Sequence, residues 1–480
     1  MKREFLLNIL FLLSINLLIK PFYIFGIDRT VQNTVPTGDY GLYFALFNFT
    51  YLLQIINDFG IQNFNNRNIA QHQQLLDKYF PNILILKGLL GVVYLLVVFA
   101  FAVVSGYESR FFPLIGVIAL NQMLLSLTLF LRSNISGLAR YRIDSLVSVT
   151  DKLLLILICG VLLWVEPFKN HFRIEWFVYA QTASLGLTAL VAFFIVKSHL
   201  KGLRFRFKLG FLWLILRDSY PYALVIFLMT AYTRIDGVML ERMLPDGKIE
   251  ADIYASAYRL LDASNMIGFL FAGLLLPMFA KMIKEKQELG SLVRFSLQFI
   301  WAGAIVLTTA TYWFQEEIMV LLYKDGSAYS GRILGLLMIS FIAIGGSYIY
   351  GTLLTANGSL MKMNRIFIIG VVLNVALNLW LIPAQKAWGA ALATCSTQFF
   401  VFLAQVWLAQ KELRLKRDLS LVGRILLYTL GCNVIAFGLI SVSGIDWLVK
   451  FLLCICLGGG MAFLLKLLDL KSLSELLKRT

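Results

Sequence analysis

The chain has 480 residues, of which 59% are hydrophobic and 15% are charged, and its formal net charge is +16. Soluble domains carry about 25% charged residues, so this composition excludes a soluble globular protein. The positive charge does not indicate nucleic-acid binding, because the lysines and arginines lie in short loops between apolar runs rather than on one basic face.

Apolar runs long enough to cross a bilayer recur along the whole chain. A spanning helix needs about 20 mainly apolar residues, because its backbone groups must bond within the helix. The predicted fold class is therefore all-α, a polytopic membrane protein with about fourteen transmembrane helices. The predicted helices cover residues 4–26, 40–60, 80–104, 112–131, 147–165, 177–197, 211–236, 252–280, 293–313, 334–355, 364–384, 389–410, 422–442 and 447–468. The first run has no small-residue cleavage site after residue 20, so we expect it to remain as a membrane helix.

The distribution of basic residues predicts the orientation. Lysine and arginine are roughly three times as frequent in the loops on the side of both termini as in the loops on the other side, and cytoplasmic loops retain positive charge. Both termini are thus predicted to be cytoplasmic. The densest basic cluster lies between the sixth and seventh helices, where a topology signal and a linker are expected; its residues are Lys197, Lys201, Arg204, Arg206, Lys208 and Arg217.

An internal repeat divides the predicted helices. The segment after helix one, residues 27–43, aligns loosely with residues 235–254 after helix seven, so that Asp28 corresponds to Asp236, Pro36 to Pro245 and Tyr43 to Tyr254. Repeated bundles are common in transporters. The predicted domains are an N-terminal bundle (1–200), a basic cytoplasmic linker (201–210), a C-terminal bundle (211–411), and two extra helices with a cytoplasmic tail (412–480).

Ionisable groups inside a spanning helix are costly and mark substrate or ion pathways, and four basic residues are the candidates here. They are Lys20, Lys87, Arg234 and Arg259. Lys20 and Lys87 have no acidic residue at helical neighbour spacing, so we expect an anion such as a pyrophosphate to neutralise them. Snorkelling to the headgroups is the alternative, chiefly for Lys20 near the predicted outer end of helix one.

Two helices carry polar stripes on otherwise apolar sequences. In helix eight the stripe is Tyr254, Tyr258, Asp262 and Asn265, and Arg259 can pair with Asp262 at i,i+3 spacing. In helix two the corresponding stripe is Tyr43, Phe47, Tyr51, Gln54 and Asp58. Stripes at repeat-related positions favour a shared cavity, and interhelical hydrogen bonding is the alternative.

Signatures of an enzyme are missing from the sequence. The three histidines, His72, His171 and His199, lie in or beside predicted loops, and no glycine-rich phosphate-binding loop is found. The five cysteines lie in apolar segments without metal-ligand partners. We therefore expect no catalytic residues, no metal and no cofactor.

Three segments resemble a known family. They are "VPTGDYGLYFAL" before and in helix two, "SYPYALVIFLMTAYTRIDGVML" at helix seven, and "NVALNLWLIPAQKAWGAALATCSTQFF" across helices eleven and twelve. In their order and in the fourteen-helix layout they resemble the polysaccharide flippases of the multidrug/oligosaccharidyl-lipid/polysaccharide exporter superfamily. The resemblance covers nearly the whole chain.

The resemblance implies a flippase that moves an undecaprenyl-pyrophosphate oligosaccharide, an O-antigen or capsule repeat unit, to the outer leaflet of a bacterial inner membrane by alternating access. It implies cationic cavity residues, for which Lys20, Arg234 and Arg259 are the local candidates. It also implies ion coupling, which Asp58, Asp236 or Asp262 would carry. Expected partners are the lipid-linked substrate, membrane lipids, a polysaccharide polymerase and glycosyltransferases; the chain is expected to be a monomer that binds no nucleic acid.

Three other functions stay open at this point. A lipid II flippase would have the same fold and a similar anionic cargo. A multidrug exporter of the superfamily would place acidic residues in its cavity, against which the buried cations argue. A membrane scaffold in a glycan-synthesis complex would need no intramembrane charge.

Overall fold

The computed structural model describes residues 14–16, 18–62, 65, 69, 74, 76–138, 140–200, 202, 209–415 and 418–468. The regular elements of these residues are helical. Residues 4–13 of predicted helix one, most of the basic linker 201–210 and the tail after 468 lie outside the described residues. The predicted all-α, polytopic architecture is confirmed: eleven described helices, one of which contains two predicted spans, are long and apolar enough to cross a membrane.

The chain divides into two compact units. The first comprises Met1–Arg242 with Asp246–Asp252, and the second comprises Met243–Pro245 with Ile253–Thr480. This packing division lies one helix beyond the predicted linker at 201–210. The predicted domains follow the sequence repeat, whereas the compact units follow the packing of the helices. The predicted domain boundaries therefore stay a prediction.

The first unit begins with a helix that extends further than the sequence predicts. A π-helical segment, Tyr23–Asp28, continues directly into α1 (Arg29–Thr34), so the predicted end at residue 26 is wrong. The apolar run does end near residue 26, but Asp28 is buried, and the helix stops only before Pro36. Proline disfavours helical geometry in the residue before it, and Val35 is extended.

Predicted helix two is interrupted. It consists of α2 (Asp39–Leu52) and the short α3 (Ile55–Asp58), after which Phe59 and Gly60 have positive φ values of 47° and 75°. Two successive left-handed residues end the helix at this point. The break places Asp58 at a helix end, where its carboxylate can reach a neighbouring helix.

The remaining helices of the first unit are long. They are α4 (Leu76–Val104), α5 (Phe112–Gly137), α6 (Tyr141–Trp164), α7 (Ile174–Lys197) and α8 (Leu209–Met243). Their apolar core contains Phe80 of α4, which stacks on Phe130 of α5 at a centroid distance of 5.6 Å and also contacts Phe193 of α7. This packing holds α4, α5 and α7 together.

The second unit contains seven helices in the described residues, beginning with all but the first turn of α9. They are α9 (Gly247–Lys284), α10 (Gly290–Trp313), α11 (Gln315–Leu322), α12 (Ala328–Ala356), α13 (Leu360–Leu413), α14 (Leu419–Ser441) and α15 (Trp447–Leu464). Helix α12 packs on α10 and α13, whereas α14 and α15 pack on each other and on α10.

Helix α13 is a tight hairpin that contains predicted helices eleven and twelve. Its 54 residues would extend about 81 Å as one straight helix, far beyond a bilayer. Lys386 has a non-helical backbone (φ 53°, ψ −134°). A methyl group added at Gly389 would lie 2.5 Å from the carbonyl oxygen of Leu381, so the chain reverses direction between these residues.

Candidate functional site

The first unit holds a buried ion pair between α3 and α4. The Lys87 ammonium lies 2.5 Å from Asp58 Oδ1, and it donates to the Ser126 hydroxyl of α5 at 2.5 Å. The Lys87 side chain is 5% exposed and that of Asp58 is 20% exposed. The expectation that Lys87 lacks a carboxylate partner is therefore wrong. The partner lies 29 residues away and becomes a neighbour only because α3 ends at Asp58, a spacing that helical periodicity does not show.

A second set of charges joins α5 and α6. Arg132 donates to Asp144 at 2.8 Å through Nε, and the Lys152 ammonium lies 3.3 Å from the carboxylate of Asp151. The Lys152 ammonium also lies 4.7 Å from the ring centroid of Tyr23, in the π-helical segment. Arg132 was missed as a site residue, because predicted helix four ends at residue 131 whereas α5 continues to Gly137.

Lys20 of the first helix belongs to this set. The charges that act on it are those of Lys152, Asp151 and Arg132. Within the described part of the chain, the Lys20 ammonium has no hydrogen bond or ion pair of its own, so the expectation of an unpaired cation holds for this residue. The set, termed here the α5–α6 charge cluster, comprises three cations and two carboxylates: Lys20, Arg132, Lys152, Asp144 and Asp151.

These charges lie at different depths along their helices. Counted from the predicted cytoplasmic ends at 1.5 Å per residue, Arg132 of α5 lies about 8 Å along its helix, and Lys152 of α6 about 17 Å. Lys87 lies at a similar depth of about 17 Å in α4. Lys20 lies about 21 Å along its helix from the end at Thr34, so it is further from that end than the sequence predicts. The first unit thus carries basic groups at several levels along its helices.

Helix α8 brings two further predicted site residues to the first unit. Asp236 is 1% exposed, and Arg234 lies two residues before it, half-buried. Both residues have polar or ring contacts within the molecule. Next to them, Gly237 packs so closely on α2 that an added methyl group would lie 2.7 Å from the Phe44 ring and 2.8 Å from Asn48 Nδ2. Asp236 is therefore enclosed where α8 meets α2.

The predicted polar stripe on α9 lies in the second unit, and its members differ in burial. Tyr254 and Tyr258 are buried with their ring centroids 5.5 Å apart. Arg259 and Asp262 form the predicted i,i+3 pair, at 3.8 Å between Nη1 and Oδ2. Asn265 Oδ1 is a buried atom without a hydrogen-bond partner in the described structure.

Repeat-related tyrosines make similar hydrogen bonds in the two units. Tyr43 of α2 accepts a hydrogen bond from Gln181 of α7 at 2.8 Å, and the hydroxyl of Tyr254 in α9 lies 3.1 Å from that of Thr394 in α13. Each tyrosine thus bonds to the last helix of its own repeat. For these two residues the interhelical hydrogen-bond alternative describes the structure. The other members of the helix-two stripe remain partly exposed; they are Phe47, Tyr51, Gln54 and Asp58.

The described residues contain no group of three His, Cys, Asp or Glu side chains that could hold a metal ion. The chemistry that the charge cluster and the Lys87 pair offer is electrostatic. Ammonium and guanidinium groups donate charge-assisted hydrogen bonds to phosphate or carboxylate oxygens. A low-dielectric environment strengthens such bonds.

A family model described as "Polysaccharide biosynthesis protein" matches residues 5–283, more than half of the chain. The chain belongs to this family. The match includes the α5–α6 charge cluster, the Lys87 pair and the α9 stripe, and it confirms the resemblance of the sequence to the polysaccharide branch of its superfamily. No curated protein sequence matches the chain.

Solved structures with the same fold are membrane transporters. The inward closed conformation of the lipid II flippase MurJ has a TM-score of 0.71 at 12% identity, with 92% of this chain and 95% of that chain covered. An inward-facing multidrug resistance MATE family transporter has a TM-score of 0.63 at 13% identity, with 81% and 94% covered. A transporter of the same superfamily from Pyrococcus furiosus has a TM-score of 0.56 at 14% identity, with 86% and 95% covered. The likeness establishes the fold.

Proposed function

We propose that this protein flips an undecaprenyl-pyrophosphate-linked oligosaccharide, an O-antigen or capsule repeat unit, from the cytoplasmic to the outer leaflet of a bacterial inner membrane by alternating access. The observation that carries the proposal is the α5–α6 charge cluster. Its three cations outnumber its two carboxylates, and the Lys20 ammonium has no acceptor in the described structure. A membrane-embedded cation without a partner is costly, so it marks a place where an anion passes.

A pyrophosphate group fits the arrangement of these cations. Arg132 lies near the cytoplasmic end of α5, whereas Lys152 and Lys20 lie deeper, so a head group entering from the cytoplasm meets them in turn. Each carboxylate of the cluster already has a cationic partner, which limits the repulsion that an anion would meet. The side chains of Arg132 and Lys152 are 23% and 31% exposed, so the cluster is accessible rather than sealed.

Ion coupling is part of the proposal, and Asp58 is its best-placed carrier. Asp58 neutralises Lys87 in the absence of cargo. If a pyrophosphate binds Lys87 in place of Asp58, the Asp58 carboxylate loses its counter-ion in a low-dielectric site. A proton or a cation that binds Asp58 would then replace that counter-ion. Two other carboxylates remain candidates for ion coupling. Asp262 lies 3.8 Å from its partner Arg259, and Asp236 is buried.

Lipid II flipping is the second candidate, because the structure of MurJ covers 92% of this chain with a TM-score of 0.71. The family description, polysaccharide biosynthesis, favours an oligosaccharide other than the peptidoglycan precursor. Multidrug export is less compatible with the site, since a cavity for organic cations needs an excess of carboxylates rather than of cations. Partner polymerases and glycosyltransferases, and a monomeric state, remain proposals.

The test is delivery of lipid-linked glycan in cells that lack their own flippase. Lys20→Ala and Arg132→Gln are expected to reduce delivery at least tenfold at unchanged protein level, because each removes a charge that holds the phosphates. Lys281→Ala is the matched control: Lys281 is exposed at the end of α9, and the substitution removes the same charge. Normal delivery by both site variants would refute the proposal.

The cargo is identified by supplying the chain to two hosts, one deficient in an oligosaccharide flippase and one deficient in the lipid II flippase. Rescue of the first alone supports the proposed cargo, and rescue of the second alone reassigns the protein to peptidoglycan synthesis.

The substitution Arg234→Lys tests whether Arg234 contributes only its positive charge or also a bidentate contact with phosphate. If Arg234 holds phosphate with its planar fork, Arg234→Lys restores delivery only in part, and full activity would reduce its role to a point charge.

A further inference from the structure

A guanidinium group without an acceptor lies on the packed face of α14, one of the two additional C-terminal helices. Arg424 is partly buried, and its Nε and Nη2 atoms are buried without a hydrogen-bond partner among the residues that the structure describes. Arg424 precedes Tyr428 by four residues, so it lies on the helix face that Tyr428, Cys432 and Ala436 bury. The side chain therefore belongs to the packed side of α14 rather than to its lipid-facing side.

Two contacts fix α14 against α10 on either side of Arg424. Below it, Asp418 Oδ2 accepts from Arg294 at 2.9 Å, and above it the Tyr428 hydroxyl donates to the Ala302 carbonyl at 2.9 Å. The two helices are parallel, because both contacts advance in the same chain direction. Arg424 lies between the contacts, about 9 Å along the helix from Asp418.

The nearest carboxylate along the chain is already engaged. Asp418 Oδ1 accepts from the backbone N–H of Leu421 at 2.9 Å and caps α14, while Oδ2 holds Arg294. Neither oxygen is bonded to Nε or Nη2 of Arg424. A buried charged donor without an acceptor is strongly unfavourable, and each unmet hydrogen bond adds to the penalty. An acceptor from outside the chain therefore accounts for this guanidinium group better than packing does.

The end of α15 adds a second cation at this level. Helix α15 runs antiparallel to α14, since a methyl group added at Gly458 would lie 3.4 Å from Cys432 Sγ and one added at Gly431 would meet Met461. Following this register toward the start of α14 brings Lys466, an exposed residue just after α15, to the level of Arg424. The surface around both cations is apolar, with Leu419, Val422, Leu426 and Leu464 all exposed.

We propose that Arg424, with Lys466, binds the phosphate of a lipid head group in the cytoplasmic leaflet, at the edge of the α14–α15 pair. If the start of α14 lies at the predicted cytoplasmic surface, Arg424 lies about 9 Å below that surface. This depth is close to the boundary between head groups and acyl chains, because the polar region of a bilayer occupies about 5 to 7 Å on each side of its core. The exposed leucines and valine provide a surface for acyl chains, which a free phosphate would not use. A guanidinium group donates charge-assisted hydrogen bonds to phosphate oxygens, and Nη1, the one guanidinium nitrogen of Arg424 that is not among its buried atoms without a partner, is the atom that the phosphate would meet first. This site is distinct from the α5–α6 charge cluster, which lies in the other unit, and does not depend on the proposed transport function.

The proposal is tested by lipid binding to the purified full chain in neutral detergent, followed by native mass spectrometry and by thermal unfolding. Phosphatidylglycerol is expected to bind and to raise the unfolding temperature. Arg424→Gln is expected to weaken that binding about tenfold, the effect of losing one charge-assisted contact. The matched control is Arg365→Gln, because Arg365 is an exposed arginine in the first turns of α13 on the same predicted side. Equal lipid binding by Arg424→Gln and the unaltered chain, or an equal loss in Arg365→Gln, would overturn the proposal.

Further arms identify the source of the phosphate. Phosphatidylglycerol and a polyprenyl phosphate are tested separately, and binding that depends on Arg424 supports the site. The lipid that binds more tightly is the one whose phosphate the site holds. Inorganic phosphate that stabilises the chain as well as the lipid does at equal concentration would overturn the lipid assignment. If Arg424→Gln does not fold, Arg424→Lys takes its place: it keeps the charge but loses the planar fork, so severalfold weaker binding is expected, and unchanged binding would count against the site.

Discussion

The Lys87 ammonium lies 2.5 Å from the Asp58 carboxylate and is also bonded to the Ser126 hydroxyl. This arrangement links α3, α4 and α5 through one cation. Removing one member of a buried ion pair leaves the other uncompensated, which is strongly destabilising, whereas removing both is often tolerated. The pair therefore has a structural role in addition to the proposed transport role, and the two roles can be separated by experiment.

Lys87→Met is expected to lower the free energy of unfolding by about 3 kcal/mol, because Asp58 is left buried without a counter-ion. The double variant Lys87→Met with Asp58→Asn is expected to regain most of this loss. Thermal unfolding in detergent measures both. If Lys87 also binds cargo, the double variant is stable but still deficient in glycan delivery. A double variant as unstable as the sum of the single variants would refute the pairing.

The second ion pair is expected to behave differently. Arg259 and Asp262 are 3.8 Å apart on one helix face, against 2.5 Å between Lys87 and Asp58, so the attraction within the second pair is weaker. Asp262→Asn is therefore expected to change the unfolding temperature much less than Asp58→Asn does. The two variants remove the same charge, so each serves as the control for the other. Equal destabilisation would show that the Asp262 carboxylate is held by more than Arg259.

Hydrophobic runs predict most of this fold. They locate the long helices, because each span must satisfy its backbone within the bilayer, and they predict the reversal between helices eleven and twelve that the structure places at Lys386. They fail at the helix ends. The first helix continues past residue 26 to Thr34 because buried Asp28 interrupts the apolar run without ending the helix. Helix two is interrupted at Leu53 and Gln54, and its second part ends at Asp58 because Phe59 adopts a left-handed backbone, which its side chain does not predict.

The candidate site is predicted only in part, for a related reason. Helical spacing identifies the Arg259–Asp262 pair because both residues are on one helix. It does not identify Asp58 as the partner of Lys87, nor Asp144 as the partner of Arg132, because these contacts depend on how separate helices pack. Lys20 has no carboxylate at helical neighbour spacing in the sequence, and in the described structure its charged neighbours come from α5 and α6.

Tyr43→Phe and Tyr254→Phe test whether the two repeat-related tyrosines contribute similarly to stability. Each substitution removes one hydroxyl that bonds to a later helix of the same unit, Tyr43 to Gln181 and Tyr254 to Thr394. Each is expected to lower the free energy of unfolding by about 1 kcal/mol, and Tyr43→Phe slightly more because the Gln181 amide loses its acceptor in a buried site. Unfolding of the two variants is compared with that of Tyr179→Phe, whose side chain is exposed on α7. If the free energy of unfolding is unchanged in both Tyr43→Phe and Tyr254→Phe, the two hydrogen bonds contribute nothing to stability.

Replacing glycine by alanine is expected to have opposite effects on stability at two helical positions of the first unit. In α2, a methyl group at Gly41 would lie 2.6 Å from the backbone nitrogen of Asp252 and even closer to the Lys248 carbonyl oxygen. Asp252 cannot move away easily, since its carboxylate accepts from the Gly38 backbone at 2.8 Å and from the Gln32 side chain at 2.6 Å. Because backbone must shift, Gly41→Ala is expected to destabilise the chain by about 1 to 3 kcal/mol.

Gly88→Ala in α4 is the matched control, since an added methyl group there meets no atom within 4 Å. Alanine is the better helix former, so the free energy of unfolding is expected to stay the same or to rise by up to about 1 kcal/mol. Thermal unfolding of both variants, with glycan delivery measured in parallel, checks the pair. If Gly41→Ala is as stable as the unaltered chain, the first turn of α9 does not pack on α2 as the structure describes. If both variants lose stability, loss of glycine flexibility rather than the close approach at Gly41 is the cause.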